Sequence, residues 1–165
     1  MLDTIGFSQT WEQLKLETVN IKLDLSIITH DAVSEHPFVN ISLNGYPQFG
    51  EVCEQDTLVE FDVEIEDVTE NFLTIEYNNK NAKQDVILGA DGMPVADKRI
   101  EINSISFDDI ELDFFQLTDP DTFKYEPVDP IGCKTTGFEA TKLAWNGKTT
   151  LRFATPIYIW LLENL

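Results

Sequence analysis

Apolar and polar residues alternate with a period of two along most of this chain of 165 residues. From residue 19 to residue 27, the odd positions hold Val, Ile or Leu and the even positions hold Asn, Lys, Asp and Ser. A strand with one buried face has this period, because successive side chains point to opposite faces. The same alternation returns at residues 39–43, 59–66 and 73–77. A series of such short strands, with no long helices between them, predicts an all-β fold, an antiparallel β-sandwich.

Three turn dipeptides and one slip in the alternation indicate where strands end or bend. The pairs Asn44-Gly45, Asp91-Gly92 and Asn146-Gly147 favour tight turns, so each predicts a hairpin. Within residues 100–107, the apolar positions change from even to odd. One extra residue near Asn103-Ser104 would return the apolar side chains to the same face, so we expect a β-bulge or a kink there.

The alternation ends after residue 117, where the sequence is rich in Pro, Asp and Gly, a composition typical of loops. We therefore expect three parts. Residues 1–18 form an N-terminal arm, in which Thr10–Leu16 has the capping pattern of a short helical turn. Residues 19–117 form the β-sandwich domain, and residues 118–165 form a loop, a hairpin and a C-terminal docking segment with an apolar tail.

The chain is strongly acidic, with 11 Lys and Arg against 30 Asp and Glu, a net charge of -19 and a pI near 4.1. Nucleic acids and anionic membranes are bound through clustered cationic side chains, so both are excluded as partners. The charge is uneven along the chain. Residues 1–130 hold 28 acidic and 7 basic side chains, whereas residues 131–165 hold two acidic and four basic ones.

This weakly basic end of the chain is also rich in large apolar side chains, the composition of an interface core. We expect it to dock on a neighbouring subunit, so that removal of residues 156–165 would abolish assembly while the remainder still unfolds cooperatively. The alternative is that it forms the last hairpin of the same core. The candidate interface residues are Trp145, Phe153, Ile157, Tyr158, Ile159, Trp160, Leu161 and Leu162.

Motifs for catalysis are missing from the sequence, which predicts a protein that is not an enzyme. There is no Gly-x-Ser-x-Gly elbow, no phosphate-binding glycine loop and no zinc motif. The two histidines, His30 and His36, lie in a loop beside acidic residues, where a surface role is the usual one. A glycosidase that uses two facing carboxylates stays open as an alternative.

Two kinds of ligand fit the remaining polar and aromatic residues. Calcium takes six to eight oxygen ligands, and the acidic stretch Asp108–Asp113 is the best candidate, with Asp108, Asp109 and Glu111 as ligands and Asp85, Asp91 and Asp97 on the preceding hairpin. Calcium is thus a possible cofactor, with no other expected. Glycans stack on exposed aromatic rings, and Tyr46 and Phe49 follow a turn where such rings can be presented.

Two stretches, Ile21–Glu66 and Lys98–Leu112, resemble the compact jelly-roll carbohydrate-binding modules that bind xylan through calcium. In that family a late strand with similar alternation leads to a short turn that holds acidic residues. The resemblance covers roughly residues 19–115 and implies a sandwich of the jelly-roll type. Small jelly-roll proteins of the tails, baseplates and capsids of tailed bacteriophages are also similar in acidic composition and apolar C-terminus.

We therefore expect a non-enzymatic structural or adhesive component of a phage virion, assembled in the host cytoplasm. Its partners would be other virion proteins or copies of itself, and surface glycans are a further possibility. No signal peptide is expected, because the N-terminus has no cationic region before an apolar core. The alternative function is a calcium-dependent carbohydrate-binding module.

Overall fold

The structure, a computed structural model, describes residues 15–67, 69–128 and 139–164. Twelve strands and three short helices lie within these ranges. The strands are β1 (Leu16–Ile28), β2 (Phe38–Leu43), β3 (Tyr46–Val52), β4 (Thr57–Glu66), β5 (Glu70–Tyr77), β6 (Ile87–Leu88), β7 (Pro94–Ala96), β8 (Arg99–Phe107), β9 (Ile110–Glu111), β10 (Phe123–Pro127), β11 (Lys142–Leu143) and β12 (Gly147–Ala154). The helices are α1 (Ala82–Asp85), α2 (Phe114–Thr118) and α3 (Ile157–Asn164).

Two antiparallel sheets form the body of the molecule. Sheet A has the order β11-β8-β1-β4, with β9 pairing β8, and sheet B has the order β10-β12-β5-β2-β3. Strands β6 and β7 form a separate two-stranded ribbon. The inward side chains of both sheets make one apolar core, in which Val19, Ile21, Leu23 and Leu25 of β1 are 0 % exposed. The prediction of an all-β, antiparallel β-sandwich is confirmed.

The bulge expected near Asn103-Ser104 is confirmed in the pairing of β1 with β8. Asp24 pairs with Ser104 and Leu25 pairs with Ile102, so Asn103 is the extra residue. The side chain of Asn103 donates a hydrogen bond to Ser26 Oγ at 2.7 Å. The bulge returns Ile102 and Ile105 to the same buried face, as the slip in the apolar pattern requires.

The hairpin predicted at Asn146-Gly147 is not formed. Strand β11 pairs with β8 in sheet A, whereas β12 pairs with β5 and β10 in sheet B, so the chain crosses between the sheets here. Gly147 has a φ of +153° and the backbone of Glu126 and Pro127 lies where a Cβ would be. The glycine serves this close approach, and the Asn146 side chain bonds to the Lys80 backbone.

The strands beyond residue 117 complete the sandwich. Strand β12 lies between β10 and β5 inside sheet B, and Leu151 and Phe153 on it are buried. At the other end, β1 already begins at Leu16, while most of the predicted turn at Thr10–Leu16 lies outside the described residues. No helix in the described ranges is long and apolar enough to cross a membrane.

Candidate functional site

An open cleft of about 640 Å³ lies along one lateral edge of the sandwich. Strand β4 is the edge strand of sheet A and β3 is the edge strand of sheet B, and the cleft is lined from both. Its volume falls within the range of roughly 300–1,000 Å³ that is usual for small-molecule sites. The polar and aromatic residues that line it are Asn44, Tyr46, Gln48, Asp62, Glu64, Glu66, Thr69, Glu70 and Asn71.

The β2–β3 hairpin forms one wall of this edge cleft. Its turn residues, Asn44 and Gly45, have φ values of 51° and 82°, the conformation that an Asn-Gly hairpin adopts. Asn44 is tied to β5, because its side-chain oxygen accepts a hydrogen bond from Phe72 N at 2.8 Å and its amide donates to Asn71 Oδ1 at 2.9 Å. The turn predicted at Asn44-Gly45 is confirmed, and these bonds fix its tip against the sheet.

A β-bulge in β3 sets the direction of the two aromatic residues on this hairpin. Leu43 pairs with Tyr46 and Ile41 pairs with Phe49, which leaves Gln48 as the extra residue. Residues paired across strands share a face, so Tyr46 and Phe49 lie on the same face as the buried Leu43 and Ile41. Regular alternation would place positions 46 and 49 on opposite faces. The bulge therefore directs both rings toward the inner side of sheet B.

The two predicted glycan-binding aromatics occupy different environments on that face. Tyr46 is 74 % exposed and lines the edge cleft. Phe49 is partly buried, packs against the core and is not among the residues that line the cleft. Tyr46 is thus the ring that a ligand can reach, and Phe49 supports the hairpin beneath it.

Carboxylates on the exposed face of β4 and at the start of β5 also line the edge cleft. Asp62, Glu64 and Glu66 are exposed on β4, and Glu70 begins β5. Asp62 Oδ1 accepts a hydrogen bond from Asn20 Nδ2 at 2.9 Å, which holds that carboxylate in place. An aromatic ring beside several acceptors provides both the apolar surface and the hydrogen-bonding groups that a polyhydroxylated ligand requires.

A network of hydrogen bonds holds the part of the cleft that is lined by Glu66, Thr69 and Asn71. Thr155 Oγ1 donates to the backbone oxygen of Glu66 at 2.6 Å, and the Asn71 amide donates to that of Thr69 at 3.1 Å. Thr69 Oγ1 also donates to Glu66 O at 2.8 Å. These bonds join β4, β5 and the chain after β12, so the cleft is shaped before any ligand binds.

The acidic turn after β8 does not fit a calcium site. Asp108 Oδ1 accepts a hydrogen bond from Asn20 N at 2.8 Å and Oδ2 accepts one from Tyr158 Oη at 3.1 Å. Asp109 forms an ion pair with Lys22, whose ammonium would repel a second cation. In the described part of the chain, no group of three or more His, Cys, Asp or Glu side chains is arranged to hold a metal ion, and Glu111 belongs to none.

Asp85, one of the three further acids considered for calcium, is buried and paired with a lysine. Asp85 Oδ2 lies 3.4 Å from Lys98 Nζ, and both side chains are 0 % exposed. No motif indicates this pair, so it could not be predicted from the sequence. Asp97 is likewise engaged, as it accepts a hydrogen bond from Lys80 Nζ at 2.6 Å.

The histidines lie outside the edge cleft. His30 Nε2 donates to the backbone oxygen of Asp85 at 2.7 Å, and His30 Nδ1 accepts from Ala32 N at 3.2 Å. Both ring nitrogens therefore form hydrogen bonds with backbone atoms, and this histidine has a structural role. His36 contributes its backbone oxygen to Asn79 Nδ2 at 2.9 Å.

The eight candidate interface residues divide into buried and accessible ones. Phe153, Ile157 and Leu161 are buried in the core, and Trp160 packs partly against it. Trp145 is half-buried and its backbone N–H donates to Tyr125 Oη at 3.0 Å. Contacts with a neighbour can come from Tyr158, Ile159 and Leu162, which are exposed. Docking through this segment and a place in a virion stay predictions.

The described residues define an antiparallel β-sandwich with an open edge cleft, in which an exposed tyrosine lies beside carboxylates. Comparison with family models and with curated proteins gives no match. Among solved structures, "vCBM60 in complex with galactobiose", a carbohydrate-binding module, is similar with a TM-score of 0.45 and 11 % identity, over 80 % of this chain and 96 % of that one. Galactobiose is the ligand of that module.

Proposed function

We propose that this protein is a non-catalytic carbohydrate-binding module whose ligand lies in the edge cleft. The observation that carries the proposal is the exposure of Tyr46 in a cleft whose lining also includes carboxylates and amides. A large aromatic side chain that is three-quarters exposed leaves apolar area in water, and a ligand that covers it recovers that free energy.

A sugar ring has the two surfaces that this cleft requires. Its C–H face is apolar and packs on an aromatic ring, while its equatorial hydroxyls donate to carboxylate oxygens and exchange hydrogen bonds with an amide. Tyr46 provides the platform, Glu64 and Glu66 provide acceptors, and Gln48 provides both a donor and an acceptor. The hydrogen bonds that hold the hairpin and the residues around Thr69 reduce the conformational entropy lost on binding.

The charge of the cleft restricts the class of sugar. Four carboxylates line it, and no Lys or Arg is among its lining residues within the described chain. Uronic acids and sulfated sugars would add like charges at short range, which is unfavourable. The proposal is therefore for neutral saccharides, to be identified on a glycan array that also carries acidic ones.

The test compares Tyr46→Ala and Tyr46→Phe by isothermal titration calorimetry with the neutral saccharide found on the array. Tyr46→Ala removes the platform, so we expect affinity to fall by about tenfold or more, equal to ~1.4 kcal/mol. Tyr46→Phe keeps the ring and should retain most of the affinity. Tyr158→Ala removes an exposed tyrosine outside the cleft and is the matched control.

Two outcomes would contradict the proposal. One is an array without any neutral saccharide bound. The other is a bound saccharide whose affinity Tyr46→Ala leaves unchanged, which would place the ligand elsewhere on the molecule.

A further inference from the structure

A second cleft, of about 490 Å³, adjoins the edge cleft and contains another aromatic ring. We call it the tryptophan cleft. It is lined by the side of sheet B at β12, by the turn before β10 and by α3, with Asp121, Thr122, Arg152 and Trp160 among its residues. Glu70 lines both clefts, so the two share a wall at the start of β5.

Trp160 is held in a fixed orientation within this cleft. Its ring centroid lies 6.2 Å from that of Phe107 and 6.1 Å from that of Phe153, at interplanar angles of 73° and 65°. These edge-to-face contacts anchor the indole on the core, while part of the ring lines the cleft. A ring already fixed loses little side-chain entropy when a ligand stacks on it.

The junction between the two clefts is a polar pair. Arg152 Nε forms an ion pair with Glu70 Oε1, and both side chains are about half exposed. The backbone of Arg152 also donates to Thr122 O at 2.8 Å, which ties β12 to the turn that closes the tryptophan cleft. The guanidinium has five N–H donors, so donors remain for vicinal hydroxyls after the bond to Glu70.

We propose that the edge cleft and the tryptophan cleft are two subsites of one site, and that the ligand is an oligosaccharide long enough to cross Glu70 and stack on both Tyr46 and Trp160. This inference rests on the proposed function. One saccharide that fills a single cleft leaves the second ring and Arg152 unused. A longer oligosaccharide also contacts Trp160 and Arg152, and it does so without a second loss of rotational and translational freedom.

The test is calorimetry with a series of increasing length, from disaccharide to hexasaccharide, of the neutral sugar identified on the array. For the wild-type protein we expect affinity to rise by about tenfold or more with length and then to level off, equal to ~1.4 kcal/mol. Arg152→Ala and Trp160→Leu should lose most of this gain, measured within each variant as the ratio of hexasaccharide affinity to disaccharide affinity.

Lys148→Ala is the matched control, because Lys148 is an exposed cation on the same strand and does not line either cleft. This variant should show the same rise in affinity with oligosaccharide length as the wild type. If Trp160→Leu lowers the melting temperature, Arg152→Ala still tests the second subsite, since the Arg152 side chain lies at the surface.

The outcomes separate this inference from the proposed function. Equal affinity at every length, or a gain that survives in Arg152→Ala, overturns the second subsite and leaves binding at Tyr46 in place. Absence of binding at every length overturns both.

Discussion

At the level of single residues, Asp85 and Lys98 join three loops through a fully buried ion pair. Asp85 accepts hydrogen bonds from Ser34 N at 3.1 Å and Asn81 N at 2.7 Å, and Lys98 Nζ donates to Asn79 O at 2.8 Å. Burial alone would raise the pKa of Asp85. The backbone N–H groups of Asn81 and Ser34 and the charge of Lys98 outweigh it and hold that pKa below its usual value.

The first prediction concerns this ion pair. Asp85→Asn preserves the shape of the side chain but leaves the ammonium of Lys98 buried without a counter-charge, so the free energy of unfolding should fall by about 3–5 kcal/mol. Urea denaturation at pH 7 measures it. Asp109→Asn is the control, because its partner Lys22 and Asp109 itself are solvent-accessible, and it should cost less than ~1 kcal/mol. Equal losses in the two variants would contradict the prediction.

The same variant has a pH dependence of known sign. A carboxyl whose pKa is lower in the folded state contributes stability above its unfolded pKa and loses that contribution as pH falls through the folded pKa. The difference in the free energy of unfolding between wild type and Asp85→Asn should therefore have its full value at pH 7 and decrease below about pH 4. A difference that grows on acidification would mean that the pKa of Asp85 is raised.

At the level of elements, the strands with one buried face could be predicted and the cleft could not. In β1 every second residue from Val19 to Ile27 is buried, so the alternation specifies both the strand and its faces. The slip at Asn103 was readable because the residues on both sides of it are buried. Strand β3 is an edge strand with mostly exposed side chains, so no apolar pattern marked the bulge at Gln48 that directs Tyr46 into the cleft.

Turn dipeptides predict the connections between strands less reliably than alternation predicts the strands themselves. Asn-Gly is favoured where the backbone has a positive φ, and this conformation occurs both in hairpins and where the chain crosses between sheets. Asn44-Gly45 joins two paired strands, whereas Asn146-Gly147 lies between strands of different sheets. Only the pairing of distant strands distinguishes the two cases, and local sequence does not contain it.

Helix α3 provides a prediction with an internal control, because its adjacent leucines have opposite environments. Leu161 is 2 % exposed and Leu162 is 75 % exposed. Leu161→Ala should lower the free energy of unfolding by about 2–5 kcal/mol, since it leaves a cavity in the core. Leu162→Ala should change it by less than ~0.5 kcal/mol. Urea denaturation of both variants measures the difference.

The same pair tests the docking prediction for the C-terminal segment. Because Ile157 and Leu161 are core residues, removal of residues 156–165 destabilises the domain and cannot isolate an interface. Leu162→Asp leaves the core intact. If the exposed face of α3 holds subunits together, light scattering should show a smaller particle for Leu162→Asp than for the wild type. An unchanged mass would contradict docking through this face.

At the level of the whole molecule, a net charge of -19 destabilises the folded state, because its acidic side chains repel one another. Much of this charge lies on the outer faces of strands, as on β4, where acids alternate with buried apolar residues. Divalent cations screen such charge without a specific site. A rise in melting temperature on adding calcium is therefore not by itself evidence for a calcium site in this protein.

The comparison of calcium with magnesium separates screening from a site. Asp108 and Asp109 are already bonded to Asn20, Tyr158 and Lys22, so we expect equal millimolar concentrations of the two ions to raise the melting temperature by indistinguishable amounts. Saccharide affinity should also be the same with and without EDTA, because neither Asp108 nor Asp109 lines a cleft. A larger rise in melting temperature with calcium that disappears in Asp109→Asn would instead show that the acidic turn rearranges to bind the ion, since the larger calcium ion accepts irregular sets of oxygen ligands that magnesium rejects.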